Sequence, residues 1–517
     1  MLSLKKSIWP ASMAQSKEKN SLILMVLTFL SRILGIVKAR FISSFFGAGL
    51  VADAINFSYN IPNNLRKLFA EGALSQAYLP IFAKLKDDDK NTSLFLSQVF
   101  TLQIIIFIPL IILCFVFNQN FIALTSGFTD SYQITIASNL LPFFLIFLFL
   151  ISISTLFSTV LQIKQSFFVT GLGPIIFTLS VIVSIKFFTG KFFYYSMAIG
   201  SVAGALLQML SQYIVVRKNN VKVTIKNPLK GEYTKLMTKA FLPATLYSLI
   251  MVVDQYISFY LASTLERGAV SAITNSIIFY QTPYGIFFSS ISSVFFPLLS
   301  SEKDNEKKLN YLSTALSYLF LLLLPSAIIL LTLSKECISA VLQKGEFTYI
   351  DTINTSKVLK WYLISMIPLA FSSMLSRYCY SKGDYRYPVI VSLTQAILDV
   401  FFMILFIKLD FGAESISLAL LSSVIISLTM YTTKLKGLKI LKFSKELLRS
   451  FIANIPLIIS CLSLKLLNLN YYQMGSNVKT FLITALIGVG LLIITLCSYI
   501  LFKVPFLTLL KRKGPNN

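Results

Sequence analysis

Runs of about twenty apolar residues recur along the whole chain, separated by short polar segments. A helix of that length crosses a ~30 Å hydrocarbon core. Lipid offers the backbone no hydrogen-bond partner, so a spanning segment is a helix or part of a closed barrel. The runs are continuous rather than alternating, which selects helices. Spans are predicted near residues 21–46, 51–84, 93–118, 133–163, 166–188, 192–216, 236–263, 269–300, 309–334, 354–381, 386–409, 411–433, 448–469 and 478–503. The expected fold class is therefore an all-α polytopic membrane protein of about 14 transmembrane helices. Several runs exceed twenty residues, so tilt or extension into water is expected.

Basic residues between the runs set the orientation. The segment 217–239 holds Arg217, Lys218, Lys222, Lys226, Lys230, Lys235 and Lys239. The segment 434–449 holds Lys434, Lys436, Lys439, Lys442, Lys445 and Arg449, and the tail holds Lys511, Arg512 and Lys513. With an even span count these share one side with Lys5, Lys6, Lys17 and Lys19, whereas 119–132 on the other side has no Lys or Arg. The positive-inside rule then places both termini in the cytoplasm. The two basic loops also divide the chain. The expected organisation is an N-terminal segment 1–20, a six-span lobe 21–216, a basic loop 217–235, a six-span lobe 236–433, a basic linker 434–447, two further spans 448–503 and a basic tail 504–517. A six-plus-six layout is common among transporters that rock two lobes around a central cavity.

Composition agrees with a membrane protein: 56% of residues are hydrophobic and 13% charged; the mean hydropathy is +0.75. The formal charge of +25 would suggest nucleic acid in a soluble protein. Here the cations lie between apolar runs, where they read as topology signals and contacts to anionic membrane lipids, with no nucleic acid. The chain has no histidine, and its five cysteines are scattered without CxxC spacing, which argues against a zinc site or disulfide framework. The first run, from Ser21, carries Arg32, Lys38 and Arg40 with no small-residue cleavage site behind it, so it reads as a span and not as a signal peptide.

The informative residues are charges where lipid should be. Arg32, Lys38 and Arg40 lie on the first span. Arg32 and Lys38 are six apart, roughly 240° around a helix, and cannot share a narrow face. A charge at mid-membrane costs several kcal/mol unless it faces a wet cavity or a partner. Arg32 is assigned to such a cavity; Lys38 and Arg40 either join it or snorkel to an interface. The second span is the least apolar, with Asp53, Asn56, Asn60, Pro62, Asn63, Asn64, Arg66, Lys67, Glu71, Ser75 and Gln76. Such a helix lines water or is enclosed by protein. Arg66 and Glu71 are spaced to pair loosely, and Asp53 to balance a cation. Cations around a wet cavity suit an anionic substrate, and arginine's planar fork suits phosphate oxygens; a pyrophosphate fits. The other reading is a set of internal ion pairs that only shape the fold. The second lobe instead carries acids, Asp254 and Asp399, with Gln395 one turn before Asp399 and Ser415 beside Glu414 at the start of the next span. Carboxylates with neutral oxygens are a candidate Na⁺ site, or one acid a candidate H⁺ carrier; a structural acid near a helix end is the alternative.

Several strings are distinctive: Phe46-Gly47-Ala48-Gly49 with Ala52-Asp53-Ala54, the run from Ile61-Pro62-Asn63-Asn64-Leu65-Arg66 to Glu71-Gly72-Ala73-Leu74-Ser75-Gln76-Ala77, and later Gly345-Glu346-Phe347-Thr348 and Tyr380-Ser381-Lys382-Gly383-Asp384. In these the chain resembles the MurJ (MviN) lipid II flippase family of the multidrug/oligosaccharidyl-lipid/polysaccharide exporter superfamily. The resemblance covers nearly the whole chain and is strongest over 28–84. It implies two six-helix lobes around a V-shaped cavity, with two C-terminal helices forming a groove for a polyprenyl tail. It implies a lipid II substrate, undecaprenyl-pyrophosphate bearing a disaccharide-pentapeptide, moved by alternating access in the bacterial cytoplasmic (inner) membrane and driven by membrane potential or a cation gradient. No enzyme activity, no cofactor beyond a coupling ion, and a monomer are expected. By position Arg32, Arg66, Asp53 and Glu71 match the family's cavity residues, and Asp254, Gln395, Asp399 and Ser415 fall where some members coordinate sodium. Two departures stand out. Lys38-Ala39 replaces an Arg-Asp pair, and Ile278 occupies the place of a cavity arginine in the eighth span. Arg267 lies eleven positions earlier, and Arg40 adds a cation nearby.

Other readings make different demands. A drug exporter of the same superfamily usually has twelve helices and acids in its first lobe. A flippase for another polyprenyl-pyrophosphate-linked glycan, of O-antigen type, shares the same physics. A membrane enzyme on polyprenyl substrates needs clustered acids for a metal or a base. The only dense acidic run, Asp87-Asp88-Asp89, sits among Lys84, Lys86 and Lys90 and reads as solvated charge. A non-transporting scaffold needs no charges buried in the second span.

Overall fold

A computed structural model of the protein describes residues 11–66, 68, 78, 81–85, 87–228, 231–435, 440–467, 471–476, 478–502 and 504. The helices among them are α1 (Ala11–Phe46), α2 (Leu50–Arg66), α3 (Asp89–Thr125), α4 (Ser131–Ile163), α5 (Phe167–Phe192), α6 (Tyr195–Lys218), α7 (Glu232–Ser263) and α8 (Ala269–Ser301). They continue with α9 (Asn305–Thr332), α10 (Ser334–Leu342), α11 (Tyr349–Ser381), α12 (Arg386–Lys408), α13 (Glu414–Lys434), α14 (Ile440–Ala453), α15 (Ile455–Leu466) and α16 (Val478–Leu501). Every predicted span falls on helix in its described part. Among the described residues, 11 helical segments are long and apolar enough to cross a membrane. The remaining predicted spans lie on α1, which carries three cations, on the polar α2, and on α7, whose described apolar stretch is Leu249–Ser263.

Two details differ from the sequence reading. The short helix α10 stands between two spans where a loop was expected; its nine residues are too few to read by periodicity. The span predicted at 448–469 is two helices that meet at Asn454, with Pro456 in the first turn of α15. Proline fits a first turn because that N–H has no helical partner, and it stops α14 from running on.

The contacts divide the chain into two compact units. The first comprises residues 1–41, 57–125 and 130–252. In it α6 packs against α4 and α5, and α3 against α4. Its core includes Tyr78, Phe82, Phe95, Leu156 and Phe157. Inside it Ser154 Oγ donates to Gln212 Oε1 (2.7 Å) and accepts from Gln208 Nε2 (2.9 Å). Pro142 has no N–H for the Ser138 carbonyl. Asn118 Nδ2 donates to that carbonyl at 3.1 Å. Asn118 reaches it from just past Phe117, where α3 is kinked.

The second unit comprises residues 42–56, 126–129 and 253–517. Here α11 packs on α8, α9 and α13, and α12 on α13. Leu312, Leu319, Met366, Met374 and Tyr378 are core residues. Helices α14, α15 and α16 pack on α9. Pro325 frees the carbonyl of Leu321, and Tyr499 Oη donates to it at 2.7 Å. Asn454 Nδ2, at the α14–α15 junction, donates to the same hydroxyl at 3.0 Å. One tyrosine thus joins α9, α16 and the junction. Tyr499→Phe is expected to lower stability by about 1–2 kcal/mol, the range for a polar contact inside a helix bundle. Thermal unfolding in detergent checks it, with Tyr385→Phe, at an exposed site, as the unchanged control.

Candidate functional site

The first unit holds the candidate cations. Arg32 is exposed on α1; Lys38 and Arg40 are half-buried there, and Arg66 is half-buried at the end of α2. Lys38 Nζ lies 5.5 Å from the centroid of the Tyr59 ring and 5.7 Å from that of Phe177. Phe147 stacks on both rings, at 5.7 Å and 5.2 Å. These rings come from α2, α4 and α5. An ammonium over aromatic faces gains about 0.5–2 kcal/mol, more as water is excluded, so the rings hold half-buried Lys38 against the unit. Sequence reasoning missed the cage because three helices build it and no spacing marks it. Glu71, and with it the loose pairing with Arg66, lies outside the described residues.

The second unit holds the candidate acids. Asp53 is buried on α2. Its Oδ2 accepts from the Gly268 amide at 2.7 Å, and its Oδ1 accepts from the Ser271 amide at 2.8 Å and Ser271 Oγ at 2.6 Å. Asn56 Nδ2 donates to the same hydroxyl at 3.1 Å. Gly268 is the N-cap of α8. The first amides of a helix have no internal acceptor, and a carboxylate there supplies one and meets the positive end of the helix dipole. Asp53 therefore caps α8, and both its oxygens are engaged by that helix start rather than by a cation.

The turn before α2 is fixed by another motif. The Glu346 amide donates to the Ser44 carbonyl at 3.0 Å. A Cβ on Gly47 would stand 2.7 Å from the Glu346 carbonyl oxygen, and one on Gly345 would collide with that of Ser44. Both glycines have positive φ, +68° and +62°, a region other residues rarely adopt. The Phe46-Gly47-Ala48-Gly49 and Gly345-Glu346-Phe347-Thr348 strings, nearly three hundred positions apart, meet here.

Asp399 is buried on α12 and accepts from Ser423 Oγ at 3.1 Å. One turn earlier, Gln395 Oε1 accepts from Ser427 Oγ at 3.1 Å. Asp254 of α7 is close enough that its charge acts on Asp399 and on Tyr362. Tyr362 stacks on Tyr280 at 4.9 Å. Asp254 Oδ1 is buried without a hydrogen-bond partner. Two carboxylates that feel each other's charge in a poorly hydrated place repel, and neutralising either one relieves the repulsion. Ser415 is buried, but it is eight residues before Ser423 on α13, about 12 Å along the helix at 1.5 Å per residue. The structure thus ties Asp399 and Gln395 to α13 through serines the sequence reading did not name, while Ser415 stands two turns away from those serines. Among the described residues no group of three or more His, Cys, Asp or Glu could hold a metal. Ile278 is half-buried on α8, and Arg267 is exposed before its start.

This fold is that of multi-span transporters. A solved structure titled "Inward-facing conformation of a multidrug resistance MATE family transporter of the MOP superfamily" is similar with a TM-score of 0.64 at 14% identity, covering 81% of this chain and 98% of that one. A nearer likeness is the structure "Lipid II flippase MurJ, inward closed conformation": TM-score 0.78, 25% identity, 95% of this chain and 100% of that one. The family model described as "Lipid II flippase MurJ" matches residues 42–498, and the chain belongs to that family. The "Probable lipid II flippase MurJ" of Borreliella burgdorferi is 32% identical over 451 residues, 85% of this chain and 88% of that protein. The protein of the same description from Buchnera aphidicola subsp. Acyrthosiphon pisum is 30% identical over 469 residues, 88% of this chain and 91% of that one.

The cap makes its own prediction. Asp53→Ala leaves the Gly268 and Ser271 donors without their acceptor and is expected to cost about 1–2 kcal/mol. Asp53→Asn keeps one carbonyl oxygen and is expected to cost less. No loss in either variant by thermal unfolding would show that the carboxylate does not act as a cap.

Proposed function

We propose that this protein moves lipid II, the undecaprenyl-pyrophosphate disaccharide-pentapeptide, from the inner to the outer leaflet of the bacterial cytoplasmic membrane. The observation that carries this reading is the match to the lipid II flippase MurJ family over residues 42–498, which takes in parts of both units. Both termini are cytoplasmic in this reading, supported by the shared parity of the basic segments. Transport is by alternating access, the chain works as a monomer, and no covalent bond is made or broken.

The residues divide the work. Arg32 and Arg66 present planar forks to the pyrophosphate oxygens, with Lys38 and Arg40 adding point charge. Asp53 holds the start of α8 and so positions a helix rather than the substrate. Asp254, Asp399 and Gln395 hold the coupling ion, Na⁺ or H⁺, and the change in its occupancy biases the conformational equilibrium.

Depletion of the protein, followed by an external lipid II probe that cannot cross the membrane, tests the substrate. Lipid II is expected to accumulate while staying inaccessible. Arrival at the outer face at a normal rate would replace lipid II with another polyprenyl-linked glycan. Arg66→Ala is expected to express normally yet lower the rate of lipid II appearance about tenfold to a hundredfold, from the loss of charge-assisted hydrogen bonds. Asp399→Asn is expected to bind lipid II while losing its dependence on an imposed Na⁺ or H⁺ gradient in proteoliposomes. Gradient dependence retained by that variant would remove the acid pair from the coupling.

A further inference from the structure

Within the second unit a cavity of about 500 Å³ lies among the end of α9, the first turn of α10, α11, α15 and the turn at Tyr471–Tyr472. Lys335, Lys357, Lys360 and Lys465 line it, against one acid, Glu336. Among the described residues none of the four lysines makes an ion pair. Lys335 Nζ stands 5.3 Å from the Tyr472 ring centroid, and Lys360 Nζ 4.7 Å from that of Trp361. Burial raises the pKa of Glu336, against the lowering effect of Lys335 and Lys465.

The wall is built rather than loose. Ser339 Oγ on α10 donates to the Tyr472 carbonyl at 2.6 Å, and Ser476 donates its amide to the Gln343 carbonyl at 2.6 Å and its hydroxyl to the Ala340 carbonyl at 2.7 Å. Tyr349 stacks on Tyr472 at 5.6 Å. The turn that closes the cavity is therefore fixed to α10.

The place of these lysines is unexpected. α10 and the turn at 471–476 follow the ninth and thirteenth spans, both odd, which puts them opposite the basic loops. The positive-inside bias thins the cations on that face, yet four line one cavity here. Like charges held together raise one another's energy, and an anion with several oxygens relieves the whole group. Lysine binds phosphate as a point charge, which suits a ring of separate side chains. The volume is in the range of small-molecule sites and exceeds a single phosphate.

We propose that this cavity is a second anion site, distinct from the α1 and α2 cations, that takes a phosphate-bearing group on the periplasmic face. Its side rests on the orientation given above; its binding chemistry does not. The group has two sources, the pyrophosphate of a carried lipid or the headgroup of an anionic phospholipid.

The test uses the purified full-length protein and the triple variant Lys335→Gln, Lys360→Gln, Lys465→Gln, with Lys408→Gln, exposed at the end of α12, as control. In one arm inorganic pyrophosphate is titrated in detergent and thermal stabilisation is read. In the other, protein in phosphatidylcholine nanodiscs with or without phosphatidylglycerol is released for native mass spectrometry and retained phospholipid is counted. The wild type and the control are expected to bind in at least one arm, and the triple variant to bind about tenfold or more weakly there. Binding confined to pyrophosphate identifies a carried diphosphate; binding confined to phosphatidylglycerol identifies a membrane lipid. If the triple variant unfolds without ligand, single Lys335→Gln and Lys465→Gln variants are read instead, each expected to weaken binding. No binding by the wild type in either arm, or binding unchanged in the variants, overturns the proposal. Pyrophosphate held equally by wild type and variant belongs to another site.

Discussion

A proline inside a membrane helix frees the carbonyl four residues before it, and hydrocarbon cannot satisfy that oxygen. In each unit a neighbouring helix does so. Asn118 of α3 serves the Ser138 carbonyl freed by Pro142, and Tyr499 of α16 serves the Leu321 carbonyl freed by Pro325. These contacts explain irregularities that look accidental along the chain. The kink of α3 falls at Phe117, beside the side chain that must reach α4. The junction of α14 and α15 falls at Asn454, whose amide donates to Tyr499. The same rule governs Asp53, which satisfies the start of α8. Polar residues in a spanning bundle answer first to the backbone and only then to a ligand.

That ordering sharpens the functional assignment. An acid near cations in sequence invites a reading as their counter-charge, as Asp53 did. Its hydrogen bonds assign it to a helix end instead, so it is not the counter-charge of the α1 cations. Lys38 is held by aromatic rings, which stabilise the ammonium without neutralising it. The acids that remain, Asp254 and Asp399, lie in the other unit with each other and with neutral oxygens. The candidate cations of α1 and the candidate acid pair thus fall in different units, which suits the proposed division between an anionic headgroup and a small coupling cation.

Spans were legible because twenty apolar residues have one physical use. The helix α10 was not, since nine residues between two spans carry no such constraint, nor was the break at Asn454, since Pro456 alone does not say which side of it ends. The acid site was half legible. Asp399 and Gln395 are four apart, and so are Ser423 and Ser427 on the next helix. Two matched i, i+4 pairs on antiparallel neighbours are a signal that sequence reasoning could have used and did not. Ser415, which stands where some members of the family coordinate sodium, lies about 12 Å along α13 from Ser423. The aromatic cage left no trace, because its rings come from three helices. The glycine strings were recognised as distinctive, but only the structure shows that Gly47 and Gly345 serve one contact.

The departures at Lys38 and Ile278 bear on how a headgroup is oriented. An arginine fixes both the position and the rotation of a phosphate through paired donors, whereas a lysine fixes position alone. Ile278 contributes neither, and exposed Arg267, eleven residues earlier, would stand about 16 Å away along a helix. Lys38 is further tied to Tyr59 and Phe177, so its reach is set by the rings and not by its own four-carbon stem. In the proposed function, orientation of a pyrophosphate would fall to Arg32 and Arg66, one on each of the first two helices. Arg32 is exposed, while Arg66 is half-buried with its Nε out of reach of solvent. The asymmetry makes Arg66 the residue that would fix the headgroup's rotation and Arg32 the one that would follow it.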